Sequence, residues 1–298
     1  MNLAGFVGGP CDRSGMCEVF VGSEAVRSGA LTGHVLRTRY EAICPDIYMP
    51  EFGDLTLADR TTAAWLWSRR RGTVAGVAAS ALLGAKWVGI DEPVELIWRN
   101  PHPPRGVITR NERLAADEVM DVNGLRVTTP VRTAFDIGRH RPRESAIARL
   151  DALAGATGVT AAEVAALTPR YRGARGLGRL RIALGLVDAG AQSPKETWLR
   201  LVLVDAGLPK PTTQIMVHDG DYIALAYLDM GWEEFKVAAE YDGDHHRSDR
   251  RQYAKDIGRA ELVSDLGWSV VRVIAGDHPD DVVRRVRKAL ISRGFRDT

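Results

Sequence analysis

The sequence predicts a mixed α/β protein built from more than one module. The 298-residue chain has 45% hydrophobic and 26% charged residues, ordinary values for a globular chain long enough for two domains or slightly more. Short β-type runs such as VELIW, GVITR and WSVVRV alternate with capped helical stretches. A strip rich in arginine and glycine, followed by GLVDAGAQ near residues 185–192, separates two blocks of elements. The expected layout is a winged-helix-like module over 1–70, a mixed α/β middle region over 71–190, and a domain over 191–298 with a mixed sheet flanked by helices.

The elements follow in order. Residues 1–18 are a Gly-rich lead-in. Ser23 is placed to cap a short helix ending at Gly29, and Thr32 a second, GHVLRTR; YEAICPDIYMP is then extended. Two short helices before a strand pair is the order of a winged helix-turn-helix. A helical hairpin packed on the next domain fits the same pattern. Helices are expected over Leu57–Arg71 and Val74–Leu83. The run Arg69-Arg70-Arg71 suits the negative end of a helix dipole, which explains it without a ligand; contact with DNA is the alternative. Residues 94–131 are strands, with Asn123-Gly124 turning a tight hairpin. Pro130 opens the helix VRTAFDIGRH, and helices follow over Arg143–Leu153 and Ala161–Leu167, the latter capped by Thr160. The stretch 170–181 carries Arg170, Arg172, Arg175, Arg179 and Arg181 without an acid, which suits phosphate contact or a solvated linker.

In the C-terminal block, Ser193-Pro194-Lys195-Glu196 reads as a helix start with Glu196 reaching back to the cap. Strands are expected over Ile215–Val217, Tyr222–Trp232 and Lys236–Tyr241, with turns at Asp219-Gly220 and Glu234-Phe235. That register sets Asp229 opposite Glu240, with Asp242 on the face of Glu240. Like charges so opposed repel and need a counterion. A divalent metal with oxygen ligands is one; Arg250, Arg251, Arg259 or Arg272 is another. Next come His245 and His246, suited to proton transfer or phosphate contact, or to bonding the backbone of their turn. A helix over Asp249–Leu266, the strand WSVVRVIAG and a helix over Asp280–Arg293 complete the chain.

Bulk properties limit the partners. A net charge of +2 implies none by itself. Cys11, Cys17 and Cys44 are an odd number without a CxxC pair, so a disulfide framework is not expected and a cytoplasmic location is. No run approaches the roughly 18–20 apolar residues of a membrane span. The N-terminus lacks the basic-then-apolar order of a signal peptide.

Two resemblances rest on these motifs. SPKETWLRLVLVDAGLPKP, LDMGW, VAAEYDGDHH, KDIGRAELVSDLGW and WSVVRV, over about 190–275, together resemble the very-short-patch-repair-like (Vsr-like) branch of the PD-(D/E)XK nucleases. The resemblance implies a restriction-endonuclease-like domain with Mg²⁺ (or Mn²⁺) held by Glu196, Asp229 and Glu240. Where the superfamily has Glu-x-Lys, this chain has Glu240-Tyr241-Asp242, so Asp242 becomes a further metal ligand and His245 or His246 the proton-transfer group. VGSEAVRSGALTGHVLRTRYEAICPDIY, with SALLG and VTTPVRTAFDIGRH, is similar to actinobacterial proteins with an AbiEi-type antitoxin N-terminus, which implies a winged-helix-like module that binds DNA or a partner.

Two functions are therefore expected. The first is a metal-dependent DNA endonuclease with Asp229, Glu240 and Asp242 as ligands. Glu196, His245 and His246 would assist, and the strip arginines with Arg259 and Arg272 would hold DNA. The alternative is a DNA-binding, antitoxin-like regulator whose nuclease-like domain serves structure or partner binding. DNA is the expected partner, with a toxin-like protein or a second copy beside it.

Overall fold

The computed structural model describes residues 19–51, 53–218, 224–243 and 250–297, with only the backbone of 250–256. Cys11, Cys17, the Asp219-Gly220 turn, His245 and His246 lie outside the described residues, as do the side chains of Arg250 and Arg251. Helices and sheets are mixed, as expected. The chain forms two compact units: one from the described N-terminus to Arg141 with Ala156–Arg181, the other of Pro142–Gly155 with Ile182 onward.

In the first unit, β1 (Phe20–Val21), α1 (Gly22–Arg27), α2 (Gly33–Arg39), β2 (Tyr40–Cys44) and β3 (Ile47–Pro50) form two helices and an antiparallel sheet of order β1-β3-β2. Thr32 caps α2 by accepting from the Val35 N–H. Ser23 does not cap α1, contrary to its expected role. Its N–H donates to Asp46 Oδ1 at 2.8 Å and its hydroxyl to Oδ2 at 2.6 Å, while the Gly22 N–H donates to the Asp46 carbonyl. The turn of the β2–β3 hairpin therefore satisfies the first N–H groups of α1.

The next helix, α3 (Leu57–Trp67), starts in a capping box of Thr56 and Asp59. It stops before the expected Arg71 because Arg69 and Arg70 are left-handed, at φ 56° and 60°. Arg70 pairs with Glu24 at 2.7 and 2.8 Å, so a structural partner explains its charge. The helix expected from Val74 is a strand, β4 (Thr73–Ala75), followed by α4 (Gly76–Leu82). Gly76 makes that break: its φ is +60°, and a Cβ there would lie 2.5 Å from Glu95 Oε1. β4 is the centre of a five-stranded sheet with β5 (Val94–Ile97), β6 (Val107–Arg110), β7 (Val119–Val122) and β8 (Leu125–Thr128), in the order β6-β5-β4-β8-β7. The β7–β8 turn has the expected Asn123 and Gly124, at φ 54° and 79°.

α5 (Pro130–His140) is capped by Thr129, and α6 (Arg143–Thr157) follows. α7 (Ala161–Leu167) has a capping box of Thr160 and Glu163. A 3₁₀ turn over Thr168–Tyr171 and α8 (Leu177–Leu184) give the arginine strip a folded conformation. One apolar core joins Ile47 and Met49 to Ala63, Val74, Leu96 and Val127.

The second unit follows the expected order of helix, three strands, helix, strand, helix. The elements are α9 (Pro194–Asp205), β9 (Thr212–His218), β10 (Ala224–Trp232), β11 (Val237–Asp242), α10 (Arg250–Asp265), β12 (Ser269–Ile274) and α11 (Pro279–Ser292). The sheet order is β12-β11-β10-β9, parallel between β11 and β12 and antiparallel elsewhere. Val237 and Ala239 pack with Leu199, Val282 and Val286, whereas Ala238 packs with Leu228 and Val263 of α10. Strand alternation thus directs Glu240 toward α10. Arg200 and Asp151, both almost wholly buried, pair at 2.7 Å; Asp151 also accepts from the Thr197 hydroxyl and the Asp188 N–H. This network ties Pro142–Gly155 to the remainder of the unit.

Candidate functional site

The predicted acidic residues are placed by the start of α9 and by the β10–β11 hairpin. Ser193 accepts from the Glu196 N–H at 3.2 Å and donates its hydroxyl to Glu196 Oε1 at 2.9 Å; the Gln192 N–H donates to Oε2. Glu196 therefore has the capping role that its sequence context describes. Met230 pairs with Ala239, one step from Asp229 and Glu240, in the register expected from the sequence. Asp229 Oδ2 accepts from the Tyr241 N–H at 2.9 Å. Burial pushes the Asp229 carboxyl up to about 6; the Tyr241 N–H opposes this, and the charges of Glu196 and Glu240 add to it.

Glu240 is engaged by Arg259, at 2.5 Å to Oε1 and 3.3 Å to Oε2, and Arg259 also donates to the Tyr227 carbonyl. Of the counterions weighed for this cluster, the structure shows an arginine on Glu240. Asp242 ends β11 beside Ile274 of β12 and is partly exposed. Among the described residues, no three of Glu196, Asp229, Glu240 and Asp242 bring ligand atoms within 4.8 Å of one another. In this arrangement Arg259 takes the charge of Glu240. A cavity of about 530 Å³ beside Glu240 is lined by Arg259, Arg272 and Arg293.

A second constellation lies in the first unit, built on α5. Arg132, Asp136 and Arg139 sit at i, i+4 and i+7, on one helix face. The fully buried Arg132 guanidinium donates to Glu118 at 2.6 Å, Asp136 at 2.9 Å and Glu112 at 3.1 Å. Arg139 holds Asp136 at 2.9 Å and Glu112 at 2.5 Å, and His140 Nε2 lies 2.9 Å from Glu112 Oε1. Arg132 also lies 4.8 Å from the ring centroid of Tyr171, whose hydroxyl donates to Glu118. Burial alone would raise the Glu112 carboxyl, but His140 and Arg139 outweigh it and bring it down to about 2. Glu112, Asp136 and His140 have ligand atoms within 4.8 Å of one another, yet two guanidiniums already neutralise the carboxylates. The spacing of charges in VRTAFDIGRH was the available signal; the partners Glu112 and Glu118 come from elsewhere in the chain.

Next to this network is a cavity of about 600 Å³ lined by seven arginines and a single carboxylate. Arg170, Arg172, Arg175 and Arg179 of the predicted basic strip meet there. Arg170 pairs with Asp117 at 2.7 Å. Arg181 is exposed on α8 and does not line the cavity; Arg259 and Arg272 belong to the second unit. Among the described residues, no single helix is long and apolar enough to cross a membrane.

Residues 61–186 match the protein family described as the AbiEi antitoxin C-terminal domain. Two uncharacterized proteins of Mycobacterium tuberculosis, one from strain CDC 1551 / Oshkosh and one from strain ATCC 25618 / H37Rv, are each 30% identical to this chain over 172 residues. The match covers 57% of this chain and 63% of each relative, so it spans less than two thirds of their length. No solved structure matches the chain. The matched family segment includes the buried arginine network and every residue named for the arginine-lined cavity.

Proposed function

We propose that this protein is an antitoxin-type, DNA-binding regulator whose first unit engages duplex DNA through α2. The observation that carries this reading is the similarity of residues 61–186 to an antitoxin domain, directly after a helix–helix–hairpin module that shares its core. Within that module α2 turns Leu36 inward and leaves His34, Arg37, Thr38 and Arg39 exposed. Second helices of such modules enter the major groove, and exposed arginines there contact phosphates or guanine edges. A toxin-type protein partner belongs to the same reading.

Fluorescence anisotropy with duplex DNA from upstream of the protein's own gene tests it. Salt-sensitive binding without a divalent ion is expected, with affinity at least roughly tenfold lower in Arg37→Ala/Arg39→Ala. Unchanged affinity in that variant would sink the assignment to α2.

A second reading, metal-dependent DNA cleavage by the second unit, is favoured by the raised Asp229 carboxyl and its acidic neighbours. It requires a divalent ion to displace Arg259 from Glu240. Nicking of plasmid DNA in Mg²⁺ or Mn²⁺ is the readout, with loss in Asp229→Ala and in Glu240→Ala. An inert wild-type protein, or cleavage that survives both substitutions, removes this reading.

A further inference from the structure

We propose that the hollow between the end of α5 and the segment 172–179 binds a compact polyphosphate group. It lies wholly within the first unit, and the proposal does not depend on α2 or on DNA binding.

The charge balance is the starting point. Seven arginines and His140 line the hollow against one carboxylate, Glu112, which Arg132, Arg139 and His140 already bond. Arg110 pairs with Glu95 at 2.6 Å and Arg170 with Asp117. The side chains of Arg113, Arg172, Arg175 and Arg179 have no ion pair or hydrogen bond among the described residues. Arg139 keeps its Nε–H buried without a partner among the described residues. Four unpaired guanidiniums around one hollow repel each other, and an anion of several charges removes that repulsion.

The floor is built rather than loose. Arg139 donates to the Arg175 carbonyl at 3.1 Å, and the Ala174 N–H donates to the Tyr171 carbonyl at 2.8 Å. Gly176, at φ +84°, lies so close to α5 that a Cβ would stand 2.4 Å from the Arg139 carbonyl oxygen. The loop that carries Arg172 and Arg175 is thereby pinned to the last turn of α5.

The shape selects among anions. One DNA strand spreads single charges along a line, about 3.4 Å of helix axis apart. A hollow of about 600 Å³ ringed by guanidiniums instead suits three or four charges in one place. Guanidinium forks match phosphate oxygens two at a time. A di- or triphosphate group fits this, free or carried by a nucleotide.

Calorimetric titration of the full chain with sodium tripolyphosphate and with ATP tests the proposal. Saturable one-to-one binding of tripolyphosphate is expected, weakened at least roughly tenfold in Arg172→Ala/Arg175→Ala. Both positions are exposed, and thermal unfolding verifies that the variant stays folded. Equal affinities would identify the phosphate chain as the ligand and tighter ATP a nucleotide; either supports the site. Tripolyphosphate that fails to saturate by roughly 1 mM, or that binds the double variant equally well, overturns it. So does duplex DNA that needs Arg172 and Arg175 but is not displaced by tripolyphosphate.

Discussion

Arg132→Met is expected to destabilise the first unit by about 3–5 kcal/mol at neutral pH, the cost of leaving buried charges without their partner. Glu118 and Asp136 are 3% and 2% exposed, and each gives an oxygen to the Arg132 guanidinium. Methionine fills most of the space but returns no donor. Burial already pushes the Asp136 carboxyl up while Arg132 and Arg139 pull against it, so removing one guanidinium raises it further. In the variant, the folded state holds these protons more tightly than the unfolded chain. The deficit is full above the raised folded values and shrinks as pH falls toward about 4. Glu112 in the wild type has the opposite sign. Its carboxyl is depressed to about 2, so its contribution is present above the ordinary carboxylate range and is lost as pH falls through about 2. Guanidinium chloride unfolding at about pH 7.5 and 5 measures the first effect, and at about pH 5 and 2 the second. Arg170→Met removes the exposed pair with Asp117 and a longer contact to Glu118 at 3.5 Å, and should cost far less than Arg132→Met. A comparable loss in the two variants would show that burial does not set the cost.

Local chemistry made much of this fold legible in advance. Thr32, Thr160 and Ser193 each cap the helix that their context marks, and Asn123-Gly124 turns the hairpin that it announces. The β10–β11 register was legible because a buried hairpin has one turn position that keeps its apolar residues inside. β4 was hidden because Val74 and Ala75 run straight into the apolar helix α4, and short apolar runs have no period that separates strand from helix. Ser23 was misplaced because the true cap, Asp46, lies 23 positions away. The same limit governed the sites. Arg259 was one of several arginines weighed against the acids, and tertiary packing of α10 on the sheet selected it. The Arg132 network escaped because its carboxylates Glu112 and Glu118 join α5 only through the fold.

Asp229→Asn is expected to stabilise the second unit, which is the reverse of what truncating a structural carboxylate does. The folded carboxyl is raised from 3.8 to about 6, so the folded state binds this proton more tightly than the unfolded chain. Stability from this group is therefore full below the unfolded value near 4, declines as pH rises through 6, and is flat above it. A shift of that size corresponds to about 2–3 kcal/mol. Asparagine keeps an oxygen for the Tyr241 N–H and removes the charge beside Glu196 and Glu240. Denaturation should show a gain of about 1–3 kcal/mol at pH 8 and almost none at pH 4. A loss at pH 8 would mean that the ionised carboxylate has a stabilising partner. The same two proteins separate the readings of this unit. If divalent ions bind there, Mg²⁺ raises the melting temperature of the wild type and not of the variant, because ligands of the native state stabilise by mass action. If Arg259 alone balances the acids, Mg²⁺ moves neither, and the carboxylate at position 229 is a charge that the fold carries at a cost in stability without a metal to offset it.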